Sequence, residues 1–346
     1  MKKYILSVMK GQTGGFFPQL IICLLLPLTV LYRLGVLFHQ YYCQHRGIYK
    51  ASKPVISIGN ITVGGVGKTP LVIWLARSLK DRGLNPVVLI RGFMTEASAE
   101  SDEALMIKQQ IAGITLLSGA DRVGNIKKNA SLMADLYICD DAFQHWPLGR
   151  DLNIVAIDAG NPFGNGHLLP VGILREPLSA LKRADIFVFT KINASKNVQA
   201  LTAQIKKFNS KALIVESRYT STGCVDVFNS EVLPNDFLKD KSVLAFSAIG
   251  DPLSFESQFK DLGAKLAKTL TFMDHHSYQK KDIQAIVLQA HACKAQLLVC
   301  THKDAVKLQI FKDSFDGIRL VYIPIQLEIL KGSDEFIQKI ITVCRL

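Results

Sequence analysis

The sequence has no C-x-x-C pair: its seven cysteines (Cys23, Cys43, Cys139, Cys224, Cys293, Cys300 and Cys344) lie far apart. That spacing argues against a zinc site or a disulfide scaffold and fits free thiols in a reducing compartment. No arginine-rich arm, zinc-finger spacing or aromatic-basic interleaving is present, so nucleic acid is not an expected partner. Internal repeats and low-complexity segments are missing too. Acidic residues are few, 29 Asp and Glu against 41 Lys and Arg, for a formal net charge of +12. Such a surplus suits anionic partners, among them phospholipid headgroups and phosphorylated substrates. At 346 residues, 49% hydrophobic and 20% charged, the chain is globular and long enough for two domains.

Charge is missing altogether between Lys10 and Arg33, where Phe16 to Leu31 reads FFPQLIICLLLPLTVL. The run approaches the roughly 20 residues of a spanning helix, although Pro18 and Pro27 interrupt it. Lys2, Lys3 and Lys10 precede it, and Arg33, Arg46, Lys50 and Lys53 follow. No small-x-small cleavage site closes it, and the continuation YRLGVLFHQYY carries aromatics and a histidine suited to a headgroup interface. Residues 1–50 are therefore expected to anchor the chain in a membrane, spanning it or half-sunk at its surface. A buried helix of the soluble body is the alternative.

From Pro54 onward, short apolar runs alternate with helical stretches, the pattern of an α/β domain with a mostly parallel sheet. Expected strands are Val55–Ile58, Pro86–Ile90, Thr115–Leu117, Leu136–Cys139, Asn153–Ile157 and Ile186–Phe189. Helices are expected at Thr69–Arg82, Glu100–Gln110 and Arg122–Met133. Residues 51–215 would form this domain and 216–241, polar and turn-rich, a linking hairpin. A smaller α/β lobe follows at 242–346, with strands at Ser242–Ser247, Leu266–Phe272, Gln296–Cys300 and Arg319–Ile325.

Strand, glycine-rich loop and helix follow in order around Gly64-Gly65-Val66-Gly67-Lys68-Thr69, the context of a phosphate-binding P-loop. Glycines let successive backbone N–H groups face phosphate oxygens, and the helix N-terminus adds partial positive charge. Thr62 through Thr69 (Thr62, Val63, Gly64, Gly65, Val66, Gly67, Lys68, Thr69) form the candidate nucleotide site. Lys68 would reach the β- and γ-phosphates and the Thr69 hydroxyl would ligate Mg²⁺. Thr62 stands where the motif has its first glycine. The apolar run ending in Asp140-Asp141 supplies the acidic partner for the metal, with Glu103 as a further candidate ligand. Asp102-Glu103 opens a helix, where carboxylates either favour the N-terminal dipole or, on the sharper reading, provide a general base.

These motifs, with Asp140-Asp141-Ala142-Phe143-Gln144-His145, the block Phe163-Gly164-Asn165-Gly166-His167-Leu168-Leu169-Pro170-Val171-Gly172-Ile173-Leu174-Arg175-Glu176-Pro177, and Thr301-His302-Lys303-Asp304-Ala305-Val306-Lys307, closely resemble the tetraacyldisaccharide 4′-kinases, the lipid A 4′-kinases. The resemblance implies a P-loop NTPase-like fold. It also implies ATP- and Mg²⁺-dependent phosphorylation of a tetraacyldisaccharide 1-phosphate at the cytoplasmic face of the inner membrane. Substrate lipid and membrane lipids are the implied partners, with no obligate protein. Carried over by position, Lys68 and Thr69 serve phosphate and Mg²⁺, Asp140 and Asp141 the metal, Asp102 and His275 catalysis, and Arg175 the nucleotide phosphates. Arg91-Gly92-Phe93 and Asp121-Arg122 match basic family positions. Three residues depart from the family pattern: Ala142 for Gly, Val66 for Thr or Ser, and His302 for Glu.

Spacing alone does not choose between His275 and His276 as the working imidazole. A GTPase would need N-K-x-D after a strand, whereas Thr190-Lys191-Ile192-Asn193 lacks both the Asn and the Asp. A membrane-bound nucleotide-binding scaffold without catalysis is a further alternative, which the retained Asp102, His275 and paired Asp residues oppose.

Overall fold

A computed structural model of the chain describes residues 2–92, 101–195, 197–221 and 223–345. Phe93 and Glu100 therefore lie outside the described residues. In chain order the first elements are α1 (Lys2–Met9), α2 (Phe16–His45), β1 (Val55–Gly59), α3 (Lys68–Lys80), β2 (Pro86–Ile90), α4 (Asp102–Gln110), β3 (Thr115–Ser118), α5 (Arg122–Lys128), β4 (Leu136–Asp140) and β5 (Leu152–Asp158). They continue with β6 (Ile186–Thr190), α6 (Val198–Phe208), β7 (Leu213–Ser221), β8 (Cys224–Asp226), β9 (Val232–Leu233), β10 (Ser242–Ser247), α7 (Pro252–Asp261) and β11 (Lys265–Thr271). The last are α8 (Lys280–Ala292), β12 (Leu297–Thr301), α9 (His302–Leu308), β13 (Leu320–Ile323), β14 (Ile325–Lys331) and α10 (Ser333–Cys344).

Two compact units share the chain: Met1–Arg91, Ile114–Arg218 and Glu328–Leu346 form one, Gly92–Gly113 and Tyr219–Leu327 the other. They are interleaved in sequence, and the division does not fall at residues 215 and 242. The stretch 216–241 is no free-standing hairpin: it begins inside β7 and goes on to build β8 and β9. From Glu328 on, β14 and then α10 belong with the first unit, and α4 belongs with the second.

The first unit holds an eight-stranded sheet in the order β14-β7-β6-β5-β1-β4-β2-β3. Its pairings from β7 to β3 are all parallel. β1, β2, β4 and β6 are buried along their whole length. Helices cover both faces of such a sheet, so its central strands read as continuous apolar runs. β1 lies between β4 and β5, so the chain departs to opposite sides of it, and ligand sites form at the carboxyl ends of strands around such a switch. The second unit has its own six-stranded sheet, β11-β10-β12-β13-β8-β9, parallel through β13 and antiparallel beyond.

Local chemistry explains two differences from the expected elements. The strand expected over Arg319–Ile325 is split at Pro324, which has no N–H for a ladder; β13 pairs with β12, and β14 joins the other sheet. The helix expected from Arg122 to Met133 stops at Lys128, where the Asn129 side-chain amide donates to the Asn125 carbonyl (2.9 Å) and competes with a further turn.

Helix α2 is continuous over 30 residues, roughly 45 Å at about 1.5 Å per residue. Among the described residues it is the one helix long and apolar enough to cross a membrane. Pro18, Ile22, Leu25, Thr29, Tyr32, Val36, Gln40 and Cys43 are buried or half-buried. They recur every three or four residues and so share one stripe of the helix. Leu20, Leu24, Leu28, Leu31, Leu34 and Phe38 are exposed.

In the first unit Trp74 of α3 stacks on Phe336 of α10 with ring centroids 5.3 Å apart, and Phe336 is fully buried. The Lys339 ammonium donates to the Asp185 carbonyl (2.9 Å). The last helix is thus part of the core behind the phosphate loop. A Phe336→Ala variant is expected to lose about 3 kcal/mol or more in a denaturant titration. A loss below about 0.5 kcal/mol, as at a surface position, would contradict that placement.

Candidate active site

Between β1 and α3 the chain runs Asn60–Gly67. Gly64 (φ 115°) and Gly67 (φ 86°) adopt backbone angles that a Cβ resists. Gly67 caps α3 and turns the chain so that Lys68 and Thr69 open the helix, where N–H groups have no partner within the helix. Thr62 has no positive φ, so its position makes no demand for glycine; it bridges to Leu174 instead. Two further groups brace the loop from β6. The Thr190 hydroxyl donates to the Val66 carbonyl (2.8 Å). The Lys191 ammonium donates to the Gly65 carbonyl (3.0 Å) and pairs with Asp158 (2.7 Å). The segment that fails as a guanine motif is therefore a support for the phosphate loop.

Asp140 is the last residue of β4, in register with Ile58 of β1. Asp141 follows in the left-handed region (φ 49°), a conformation that is uncommon outside glycine. Arg122, buried, donates to the carbonyls of Asp140 (2.5 Å) and Asp141 (3.4 Å) and holds that turn. The Asp141 carboxylate receives the Arg175 guanidinium at 2.9 and 3.0 Å and lies 3.4 Å from the Lys68 ammonium. Lys68 also donates to Asn60 Oδ1 (3.1 Å). Burial pushes the Asp141 pKa up, but Lys68 and Arg175 outweigh it and hold the carboxyl below its usual range. His145 is driven the other way from a base: burial and the Arg122 and Arg150 charges bring it down to about 4. Ala142 keeps a φ outside the left-handed region and is buried, so the methyl is accommodated.

The second unit gathers another set. Ser101 caps α4 by accepting from the Ala104 N–H (3.3 Å), and this places Asp102 at the first helical residue, buried. Lys307 of α9 reaches Asp102 Oδ2 at 2.8 Å and His275 Nδ1 lies 3.6 Å from the same oxygen. His275 has φ 61° and is half-exposed. Lys303 sits 3.0 Å from His275 Nε2, 3.1 Å from Asp274 and 3.6 Å from Glu103. An ammonium can only donate, so Nε2 accepts and Nδ1 carries the proton that faces Asp102. Burial raises the Asp102 pKa, but the His275 contact and the Lys307 charge exceed it, and the carboxyl ends below its ordinary value. His276 is engaged elsewhere, 3.0 Å from Asp282 and stacked on Phe272. Of the two imidazoles, it is His275 that faces Asp102.

His302 is buried at the start of α9. Its Nδ1 lies 3.1 Å from Gln110 Nε2 and its Nε2 3.0 Å from Gln109 Oε1, and its ring stacks on Tyr322. Burial lowers its pKa to about 4, so a neutral ring, a donor at one nitrogen and an acceptor at the other, matches the two amides. The residue ties α9, which bears Lys303 and Lys307, to α4, which bears Asp102.

Of the expected site residues, the first unit brings together Lys68, Thr69, Asp140, Asp141 and Arg175, with Thr62–Gly67 as the loop. Asp102, Glu103 and His275 meet in the second unit. Glu103, in the second unit, pairs with Lys303. Among the described residues no cluster of three or more His, Cys, Asp or Glu could hold a metal by itself. Asp121 caps α5 through the Gly124 N–H (2.8 Å). Sequence reasoning gave no role to Lys303, Lys307, Lys191 or Asn60.

The Lys307–Asp102 pair has a pH signature. A carboxyl with a depressed folded pKa stabilises the fold above its unfolded pKa, about 4, and that stability is lost as pH falls through the folded value. In Lys307→Ala burial acts with less opposition, and the Asp102 pKa rises. Urea midpoints measured between about pH 3 and about pH 7 should then show a variant that is weakened most at the neutral end. Parallel profiles for the two proteins would contradict the pairing.

Known proteins are similar to this chain over most of its length. The family model for LpxK, tetraacyldisaccharide-1-P 4′-kinase, matches residues 21–345. A tetraacyldisaccharide 4′-kinase of Halothermothrix orenii is 31% identical over 98% of this chain and 97% of its own length. That of Anaeromyxobacter dehalogenans (strain 2CP-C) is 35% identical over 82% of this chain and 80% of its own. The crystal structure of "apo" form LpxK from Aquifex aeolicus in complex with ATP is 26% identical, with a TM-score of 0.70 over 94% of this chain and 99% of that one. With its phosphate loop and paired carboxylates at the carboxyl ends of one parallel sheet, this chain belongs to the tetraacyldisaccharide-1-P 4′-kinase family.

Proposed function

We propose that this kinase moves the γ-phosphoryl group of ATP onto the 4′-hydroxyl of a tetraacyldisaccharide 1-phosphate, a step of lipid A synthesis, at the cytoplasmic face of the inner membrane. The observation that carries the reading is Lys68 at the first residue of α3, with its ammonium 3.4 Å from Asp141 at the end of the neighbouring strand. A triphosphate held by the loop N–H groups would meet Lys68 and Arg175, which neutralise its charge. The Thr69 hydroxyl and the Asp140 and Asp141 carboxylates are hard oxygen donors that fit Mg²⁺. When bound there, the ion would supply charge neutralisation and orientation of the phosphates.

Asp102 serves the acceptor. Its depressed pKa keeps it ionised at neutral pH, so it can receive the 4′-hydroxyl proton as the oxygen–phosphorus bond forms. The bond from the γ-phosphorus to the bridging oxygen breaks, and ADP leaves. A carboxylate held below its ordinary pKa is a weak base, which suits phosphoryl transfer, where positioning and electrostatics carry most of the acceleration. His275, with its proton on the nitrogen facing Asp102, orients that carboxylate, and Lys303 fixes the tautomer.

The outward face of α2 supports a place at the membrane. Its leucines and Phe38 are exposed, and Tyr41, Tyr42, His45 and Arg46 follow at one end. No acidic residue precedes Asp81, so this part of the chain carries no charge that an anionic leaflet would repel. The half-buried stripe along α2 favours a helix lying at the interface with its leucines immersed, rather than one surrounded by lipid. A four-chain lipid leaves a bilayer at a cost of about 0.8 kcal/mol per CH₂, so the enzyme must come to its substrate.

Radiolabel transfer from ATP to the disaccharide 1-phosphate tests the reading. Lys68→Ala should lower kcat by about a hundredfold or more. Asp102→Ala should lower kcat by about 10² to 10⁴ while leaving the nucleotide KM within about twofold. Near-normal transfer by Lys68→Ala would overturn the assignment.

A further inference from the structure

The block from Asn161 to Arg175 touches the N-terminal helices on one side and the phosphate loop on the other, all within the first unit. On the helix side, the Asn165 N–H donates to the Met9 carbonyl (3.1 Å). The Asn161 side-chain amide donates to the Lys10 carbonyl (3.0 Å) and that of Asn165 to the Val8 carbonyl (3.3 Å). Within α2, the Tyr32 hydroxyl donates to the Arg175 carbonyl at 3.0 Å. On the loop side, the Val63 N–H donates to the Ile173 carbonyl (2.8 Å) and the Arg175 N–H to the Ile61 carbonyl (2.7 Å). Residue 175 is thus held at its carbonyl by the membrane helix and at its N–H by the start of the phosphate loop. Its guanidinium closes on Asp141.

Packing reinforces the polar links. Tyr32 packs against the buried cluster that contains Ile61, Phe143, Phe163, Leu168 and Leu174. Ile61 belongs to the phosphate loop, Phe143 to the turn after Asp141, and the other three to the 161–175 block. Tyr32 is half-buried, and its hydroxyl has its partner within the protein.

We propose that Tyr32 is a positioning residue for the nucleotide site: through the Arg175 carbonyl it sets where the Arg175 guanidinium stands beside Asp141 and the triphosphate. The proposal rests on the reading of Arg175 as a nucleotide-phosphate contact and adds to it a residue of the membrane helix. A backbone carbonyl that loses its donor lets residue 175 move relative to Ile61, and the guanidinium then meets the phosphates less well. The acceptor end of the reaction, in the other unit, is untouched by this change.

The test uses the full chain in mixed lipid–detergent micelles, with four proteins: wild type, Tyr32→Phe, Arg175→Ala and the double variant. Tyr32→Phe keeps the ring and removes one hydrogen bond, so it should raise the ATP KM about threefold to tenfold. The KM for the disaccharide 1-phosphate and the fraction pelleting with vesicles should be unchanged. In the Arg175→Ala background the same substitution should have no further effect, because the side chain it positions is gone. An unchanged ATP KM in Tyr32→Phe, or an effect of full size in the double variant, would overturn the proposal while leaving Arg175 as a phosphate contact. An unchanged ATP KM in Arg175→Ala would remove the reading beneath it and the proposal together. Leu24→Ala, on the exposed face of the same helix, should weaken vesicle pelleting without moving the ATP KM; if it raised the ATP KM as Tyr32→Phe does, the effect would belong to membrane seating and the proposal would fail.

Discussion

A partly buried carboxylate between two cations organises the nucleotide end of this kinase. Asp141 stands at the end of β4 in a left-handed turn, with Arg175 on both of its oxygens and Lys68 close by. Each of the three comes from a different part of the chain. The turn that presents Asp141 is held by Arg122 on the neighbouring carbonyls. The loop that presents Lys68 is held by Thr190 and Lys191. The strained backbone at Asp141 persists because its surroundings over-determine it.

The second unit repeats the electrostatic pattern with other residues. Asp102 is buried, Lys307 and His275 hold it ionised, and Lys303 bridges His275 to Glu103. His275, like Asp141, has a positive φ. In both places burial alone would have raised the carboxyl pKa, and the partners reverse the direction: His275 and Lys307 at Asp102, Lys68 and Arg175 at Asp141. On the proposed reading, one carboxylate serves phosphate and metal and the other receives a hydroxyl proton.

Much of this is legible in the sequence, and what was not has a common cause. The phosphate loop, the paired aspartates and the Asp102-Glu103 helix start are local signals, in which spacing along the chain equals proximity in space. The strands were recoverable because strands buried on both faces are continuous apolar runs. The interleaving of the two units was not, since nothing in the composition around residues 91, 113 or 327 marks a crossing. Lys303 and Lys307 lie in a quoted motif, but their partners Asp102 and His275 come from distant segments. Lys191 was weighed only as half of a guanine motif, because its partner Gly65 is 126 residues away. In sequence His302 is only a departure from the family pattern, whereas its neutral ring satisfies two amides that sequence alone does not bring together.

The central claim, that Asp141 joins the cations of the site to its metal, is tested most directly by calorimetric titration of ATP into wild type and Asp141→Asn, with and without Mg²⁺. The asparagine keeps the shape and removes the charge. The account predicts that Mg²⁺ strengthens ATP binding to the wild type and that the variant loses most of this gain. A variant with the Mg²⁺ dependence of the wild type would contradict it.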